Sequence, residues 1–334
     1  MIYFLYNVPA SVQLEKSWFQ KEIYANFETD ISINKLISHL RKYIPDIELL
    51  NIANNNWFKY IDKYPIFNYT YGFGRLIDCI HPSYLLEASG NRYFGATPLG
   101  ILLSSNKPHS NSLMKALGYL VPKEYLLVSE IKKEEAQILN SYFSSSSFLV
   151  LKPAYEESSL GLRLIENEPD NIFNTVNEVY ANIKAPLLLQ EYIDGEDVTI
   201  PIIGYEEAFL LPAVVLKHEK KSSQPFLFEA ASKATKSGLK YESMDGYPEK
   251  IKKNIYKMAK DAFYITHQRD YARLDLRLSS NGQCYFLEMN SNPQLGLDKA
   301  SFAVSASLIN LEVGEIFRMI LDNRIIPSGL FKSF

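Results

Sequence analysis

One dipeptide, Asn281-Gly282, constrains this chain more than any other feature, because it sits between two alternating segments. Such a pair suits a two-residue type I′ turn, in which both central residues take φ > 0. It predicts a β-hairpin over 271–290 with Ser280 facing Gln283. Each step back along the first strand then matches one step forward along the second. Asp275 falls opposite Glu288, and Arg273 opposite Asn290. The alternate face pairs Leu274 with Met289, Leu276 with Leu287 and Leu278 with Tyr285. One face is apolar and is expected to bury. The other gathers four polar groups.

Directly opposed side chains in such a pair lie roughly 4.5–5.5 Å apart at Cβ, and like charges there are destabilising. Asp275 and Glu288 therefore need a compensating cation. Arg273 is able to supply it alone, as in a surface ion cluster. A divalent metal is the other reading, because Asp275, Glu288 and Asn290 form a hard-ligand set suited to Mg2+ carrying nucleotide phosphates. Asn290-Ser291-Asn292-Pro293 follows at once, so the strand is expected to turn sharply at its end.

Two lysines extend the pattern. Lys152 closes the apolar strand Phe148-Leu149-Val150-Leu151, and Pro153 and a loop containing Ser158, Ser159 and Gly161 follow it. Small hydroxyl residues beside a glycine can present backbone N–H groups to phosphate oxygens, although the doublet Glu156-Glu157 is unusual in such a loop. Lys107 precedes a helix, where a phosphate also fits. Leu187–Ile193 reads as a strand whose edge could carry an adenine, with the acidic turn Asp194–Asp197 beyond it for ribose hydroxyls. A plain strand and turn fits the same residues.

A chain of 334 residues is too long for one small core, so two or three subdomains are expected. Strands at 1–8, 46–52 and 65–69 alternate with helical spacing at Ile33-Leu36-Ile37-Leu40 and around 76–86, which suggests a parallel α/β layer. Residues 104–118 read as loop, helix and glycine stop. An α+β segment follows, with strands 124–129, 148–153, 160–165 and 186–193 and helices 131–143 and 169–183. Strands 197–204 and 208–217, a polar loop at 218–240, a helix at 248–268, the hairpin and a last helix at 300–322 complete the reading. The stretch Lys217–Lys221 and the lysines of 249–260 read as solvated surface. Net charge is −3, which argues against a nucleic-acid partner. No apolar run is long enough for a membrane span. Cys79 and Cys284 have neither metal-ligand nor disulfide spacing, and a cytoplasmic location is expected.

Three of these motifs, in order, resemble a known family. Leu-Lys-Pro-Ala-Tyr-Glu-Glu-Ser-Ser-Leu-Gly (151–161), Gln-Glu-Tyr-Ile-Asp-Gly-Glu-Asp-Val-Thr (190–199) and Tyr-Ala-Arg-Leu-Asp-Leu-Arg-Leu…Tyr-Phe-Leu-Glu-Met-Asn-Ser-Asn-Pro (271–293) resemble the ATP-grasp ligases, and most closely the D-alanine–D-alanine ligase group. The resemblance runs from about residue 65 to 325. It implies an α/β ATP-grasp fold with α+β subdomains: a Rossmann-like N-terminal domain over 1–104, a central lid over 105–190 and a catalytic domain over 191–334. It implies ATP and Mg2+ as cofactors, two ions being expected and Mn2+ an acceptable substitute. Carried over by motif, Lys107 and Lys152 bind phosphate, and Ser158 and Ser159 close over it. Glu191, Tyr192 and Ile193 form the adenine hinge, and Asp197 meets the ribose. Asp275, Glu288 and Asn290 hold the metal, and Arg273 lies near the transferred phosphoryl group.

The departures fall on the substrate side. The Gly-rich and Glu-Ser elements of the family have no clear match in 1–30, and Tyr71-Gly72-Phe73-Gly74-Arg75 replaces its His-Gly stretch. Phe228–Lys233 stands where a Tyr/Phe-x-x-Lys-Tyr loop is usual, which makes Lys233 the stand-in for the loop lysine. Pro293-Gln294 replaces Pro-Gly, and Ser301 is the nearest candidate for the carboxylate-binding serine. The expectation is an ADP-forming ligase that phosphorylates a small substrate oxygen, usually a carboxylate, and joins it to an amino-acid amine, with a product other than D-alanyl-D-alanine. A mycosporine-type amino-acid ligase, a dipeptide ligase and a non-catalytic nucleotide-binding protein are the alternatives. Small molecules are the expected partners, and a homodimer is implied by the family alone.

Overall fold

A computed structural model describes residues 1–8, 29–53, 57–61, 63–70, 76–155, 161–218, 239–297 and 300–322. The chain begins with β1 (Ile2–Tyr6), α1 (Asp30–Leu40), β2 (Ile47–Asn51), β3 (Ile66–Tyr69), α2 (Leu76–Ala88) and β4 (Tyr93–Phe94). The strands form a parallel sheet of order β2-β1-β3-β4, as the alternating pattern predicts. Thr29 caps α1 in a reciprocal box with Ser32, which satisfies two otherwise unpaired N–H groups. The stripe Ile33, Leu36, Ile37 and Leu40 is buried, as its helical spacing requires.

Two helices follow, the second being the one the sequence predicts within 104–118 and the first unpredicted. Pro98–Ser105 is α3 and Lys107–Ala116 is α4. The break falls at Asn106, whose side chain accepts from the His109 amide and caps the second helix. Then come β5 (Glu124–Leu127), α5 (Lys133–Tyr142), β6 (Phe148–Pro153), β7 (Arg163–Glu166), α6 (Pro169–Ile183) and β8 (Leu187–Glu191). They form an antiparallel sheet of order β5-β8-β6-β7. β8 is therefore an interior strand, paired on both sides, and does not offer the free edge expected of 187–193.

The third sheet is built from β9 (Gly195–Gly204), β10 (Phe209–Leu210), β11 (Val214–His218), β12 (Leu239–Ser243), β13 (Asp270–Ser279) and β14 (Cys284–Ser291), with α7 (Glu249–Ile265) packed on it. Its order is β12-β11-β9-β13-β14, with β10 also on β9. The single strand expected at 208–217 is split because Pro212 has no N–H to continue the ladder. The end of the expected polar loop is strand β12. Ile255, Met258, Ala259, Ala262 and Phe263 of α7 lie on one helical face and cover Val198, Ile200, Leu274 and Leu276. Fully burying side chains of this size contributes about 1.5–3 kcal/mol each. With this face covered, the opposite face of β9, β13 and β14 is left for polar side chains.

The hairpin differs from expectation at its tip. The Gly282 amide donates to Ser279 O at 2.9 Å and the Ser279 amide to Gln283 O at 2.9 Å, so the loop has three residues. Gly282 has φ +82° and Asn281 is not left-handed, which is a turn followed by a glycine bulge and not a type I′ turn. A second irregularity follows between Asp275 and Leu276, where a β-bulge leaves Leu287 without an opposite residue. The two one-residue shifts cancel. Arg273 still pairs with Asn290, Leu274 with Met289 and Asp275 with Glu288. Beyond the bulge, Leu276 pairs with Phe286 and Leu278 with Cys284, in place of Leu287 and Tyr285. Plain alternation would put Glu288 on the same face as Phe286 and Cys284, and the bulge moves it to the polar face.

The last segment is two helices, α8 (Ser301–Ser307) and α9 (Val313–Asp322), and not one. Asn310 at φ +59° ends α8, with its amide on Ser307 O and that of Leu311 on Ala306 O. Val313, Ile316, Phe317 and Ile320 of α9 then pack with α1 and with Phe4 and Phe67 of the first sheet. The first and third sheets are joined at Asp270, which is buried at φ +65°. Its Oδ2 accepts from the Gly95 amide at 2.8 Å and lies 3.4 Å from Arg269, which itself donates to Gly95 O. Asp270→Ala strands the buried Gly95 amide and removes one of the partners of Arg269. It is expected to cost about 2–3 kcal/mol, read as a lower denaturant midpoint; a loss within about 0.5 kcal/mol contradicts this role.

Candidate active site

The four polar residues of the hairpin meet. Arg273 Nη2 lies 2.6 Å from Asp275 Oδ2, and its Nε lies 3.0 Å from Oδ1. The Asn290 amide nitrogen donates to Asp275 Oδ2 at 2.8 Å and to Glu288 Oε1 at 3.3 Å. Thr199, opposite Asp275 on β9, donates to Asp275 Oδ1 at 2.8 Å. Burial raises the Asp275 carboxyl, and Glu288 adds to this; Arg273 and Thr199 pull the other way without cancelling it. Burial opposes the charge on Arg273, but Asp275, Tyr241 and Glu288 outweigh it. The Asp275 carboxyl is therefore held above the usual carboxylate range even with an arginine on it, and any further cation beside it favours its charged form. The carboxylate oxygens of Asp275 and Glu288 are bridged by the Asn290 amide nitrogen, so two hard oxygen ligands meet at one amide group, a set that suits a divalent ion once the Asn290 oxygen is turned toward it. Among the described residues, no group of three or more His, Cys, Asp and Glu gathers, on this face or elsewhere.

The two lysines reach the same place from different elements. Lys107, at the start of α4, is 5% exposed, and its Nζ lies 3.8 Å from Glu288 Oε2. Its amide donates to Ala154 O at 3.1 Å, which ties α4 to the end of β6. On β6, Lys152 is pushed down to about 8 by burial; Glu288 raises it, Lys107 lowers it further and Glu124 raises it. Glu124 of β5 accepts from Asn111 at 2.6 Å, Lys115 at 2.6 Å and Gln190 at 2.9 Å. Sequence reasoning missed Glu124, since a lone glutamate opening a strand carries no signal until its donors are seen.

The expected nucleotide edge is more occupied than the sequence implies. The amides of Glu191 and Tyr192 bond to Lys123 O at 2.9 Å and Phe148 O at 3.0 Å. Asp197 Oδ1 is 2.9 Å from Arg277 Nη1. Arg277 also donates to Ile193 O and to the Tyr192 hydroxyl, each at 2.9 Å. Arg277 was not singled out, although it follows Asp275 by two residues on the same strand face. Tyr241 of β12 was also missed. Burial and Asp275 push its hydroxyl up to about 12 against the pull of Arg273. Lys217 is not solvated loop. It lies on β11 and bonds Glu196 and Tyr247, at 2.8 Å to the latter. Ser301 is buried at the start of α8. Ser158, Ser159 and Lys233 lie outside the described residues.

A family model described as "D-ala D-ala ligase C-terminus" matches residues 113–311, more than half of the chain. The chain belongs to this family. It is an ATP-dependent, C–N-bond-forming ligase by class. The D-alanine--D-alanine ligase of Alkalilimnicola ehrlichii is 27% identical over 73% of this chain and 74% of its own length. An uncharacterized protein, y4sG, of Sinorhizobium fredii is 29% identical over 77% of this chain and 73% of its own. The D-alanine--D-alanine ligase of Bacillus anthracis, solved in complex with ATP, superposes with a TM-score of 0.71 at 18% identity, covering 96% of each chain. D-alanyl-alanine synthetase A of Vibrio cholerae gives 0.73 at 15% identity, covering 97% of this chain and 98% of its own. The fold is the ATP-grasp fold.

A lysine lowered to about 8 is partly neutral near that pH, and polyphosphate favours its charged form. ATP binding at pH 8 is therefore expected to take up a fraction of a proton. The uptake should vanish near pH 6, where Lys152 is already charged, and in Lys152→Met. Calorimetry in two buffers of different ionisation enthalpy reads it, and identical heats at pH 8 would refute the assignment.

Proposed function

We propose that this ligase phosphorylates a small substrate oxygen with ATP and then joins the activated group to the amine of an amino acid. The observation that carries this reading is the convergence of Lys107, Lys152 and Arg273 on the two carboxylates of one strand pair. Phosphoryl transfer needs little beyond positioning and charge stabilisation, and these residues supply both. Lys107 and Lys152 would orient the terminal phosphates. Arg273 would stabilise charge developing on the transferred group. Asp275, Glu288 and Asn290 would hold Mg2+, which neutralises phosphate charge when bound. Ser158 and Ser159 would close over the phosphates, Glu191, Tyr192 and Ile193 would form the adenine hinge, and Asp197 would meet the ribose. ATP would lie between a central unit (105–190) and a catalytic unit (191–334), with 1–104 completing the acceptor side. Lys233 would act from the loop beside the acceptor.

The product is proposed to differ from D-alanyl-D-alanine. Supporting this are the replaced motifs at Tyr71–Arg75, Phe228–Lys233 and Pro293-Gln294. A further support lies at the C-terminal ends of β1 and β3, where ligands of parallel sheets bind. Asn7, Asn68 and Thr70 are buried there, with Asn68 donating to Ser83 at 2.8 Å and accepting from Thr70 at 2.8 Å. This end of the sheet is built on buried, mutually bonded amides and hydroxyls.

The test is a panel of amino acids and small carboxylates with ATP and Mg2+, read by phosphate release and by mass for a condensed product. Substrate-dependent release with a new C–N product is expected; release that ignores every acceptor counts against the ligase reading. Asp275→Asn and Glu288→Gln should each lower kcat by about 100-fold or more, and Arg273→Met by about 100- to 1,000-fold. Full activity in either carboxylate variant removes the metal assignment.

A further inference from the structure

Arg277 lies two residues beyond Asp275 on the same face of β13, opposite Asp197 of β9. It is 5% exposed, and each of its three guanidinium nitrogens has a partner. Nη1 pairs with Asp197 Oδ1 at 2.9 Å, Nε donates to Ile193 O at 2.9 Å and Nη2 donates to the Tyr192 hydroxyl at 2.9 Å. The same cation lies over the Tyr192 ring, 5.4 Å from its centroid. The peptide it grips is the crossover between β8 and β9, where the chain passes from the lid sheet to the catalytic sheet. One side chain thus joins three things: the strand of Asp275, the hinge at 192–193, and the carboxylate of Asp197.

A buried guanidinium with a fork geometry is suited to this, because its donors are rigidly coplanar and cannot be matched by a lysine ammonium. The contact with Asp197 Oδ1 ties the carboxylate to β13 while its side chain stays partly exposed. Without Arg277, Asp197 would turn freely and Ile193 O would lose its donor.

From this arrangement, and resting on the nucleotide reading above, we infer that Arg277 is a positioning residue that sets selectivity for the ribose by orienting Asp197 against the 192–193 hinge. It touches neither the reacting phosphate nor the acceptor, so its loss acts on nucleotide recognition. The wild-type enzyme should bind ATP at least 10-fold more tightly than 2′-deoxy-ATP. In Arg277→Met the ratio should fall below 3-fold. KM for ATP should rise at least 10-fold, while kcat at saturating ATP and KM for the acceptor stay within 3-fold. Arg277→Lys keeps the charge but not the fork, and should restore kcat/KM for ATP only in part.

The measurement is direct titration of the two nucleotides into wild type, Arg277→Met and Arg277→Lys, together with steady-state kinetics. Asp197→Asn serves as a second variant if Arg277→Met does not fold, and should lose the ribose preference in the same way. An Arg277→Met protein that folds and keeps the preference overturns the inference, as does a wild type that binds both nucleotides equally. An Asp197→Asn protein that keeps the preference overturns it too. A wild type that binds neither nucleotide overturns the nucleotide reading itself and this inference with it.

Discussion

Two carboxylates held face to face across a strand pair are the constraint around which this structure is organised. Asp275 and Glu288 repel each other, and burial makes the repulsion harder to screen. The fold meets the problem with cations drawn from separate elements. Arg273 comes from the same strand as Asp275, Lys107 from the start of α4, and Lys152 from β6 of the second sheet. Each cation is itself brought out of water to reach the pair. Such an arrangement is a poor way to stabilise a fold, since paired buried charges roughly break even against apolar packing. It is a good way to prepare a surface for a polyphosphate and its counter-ion.

What holds the pair in place is the reverse of the same sheet. Leu274, Leu276, Phe286 and Met289 pack beneath α7, so the hairpin cannot tilt to relieve the repulsion without opening its core. The energy that tolerates the charged face is thus hydrophobic and lies a few ångströms behind it. Arg277 extends the arrangement sideways, because the strand that carries Asp275 also grips the crossover between the second and third sheets.

Much of this was legible in the sequence, though not always for the right reason. The pairs at the site followed from counting out from Asn281-Gly282, and they are correct because a three-residue loop and a bulge at Leu287 offset each other. The helix at Pro169–Ile183 was readable because its period is strong and proline marks its start. What was not readable depends on distant partners. Asp197 looked like an unoccupied acid until Arg277, eighty residues on, was placed against it. Lys217 looked like part of a charged loop until Glu196 and Tyr247 enclosed it. Strand β12 alternates polar and mixed residues and gains its identity only from pairing with β11. Local breaks were equally hidden, as at Pro212 and Asn310, where a single residue divides one apparent element into two.

The bulge at Leu287 also divides the hairpin into two parts that can change at different rates. On its inner side, Arg273, Asp275, Glu288 and Asn290 bond to one another above Leu274 and Met289 of the core. On its outer side, the strand is anchored separately, with the Phe286 amide on Leu120 O at 2.9 Å. Ser280 and Asn281 at the tip are therefore free to vary in sequence while the charged face stays where it is, with Gly282 kept for its φ of +82°. A loop that can drift while its root cannot is a natural point of divergence among relatives, and a safe place to carry a reporter.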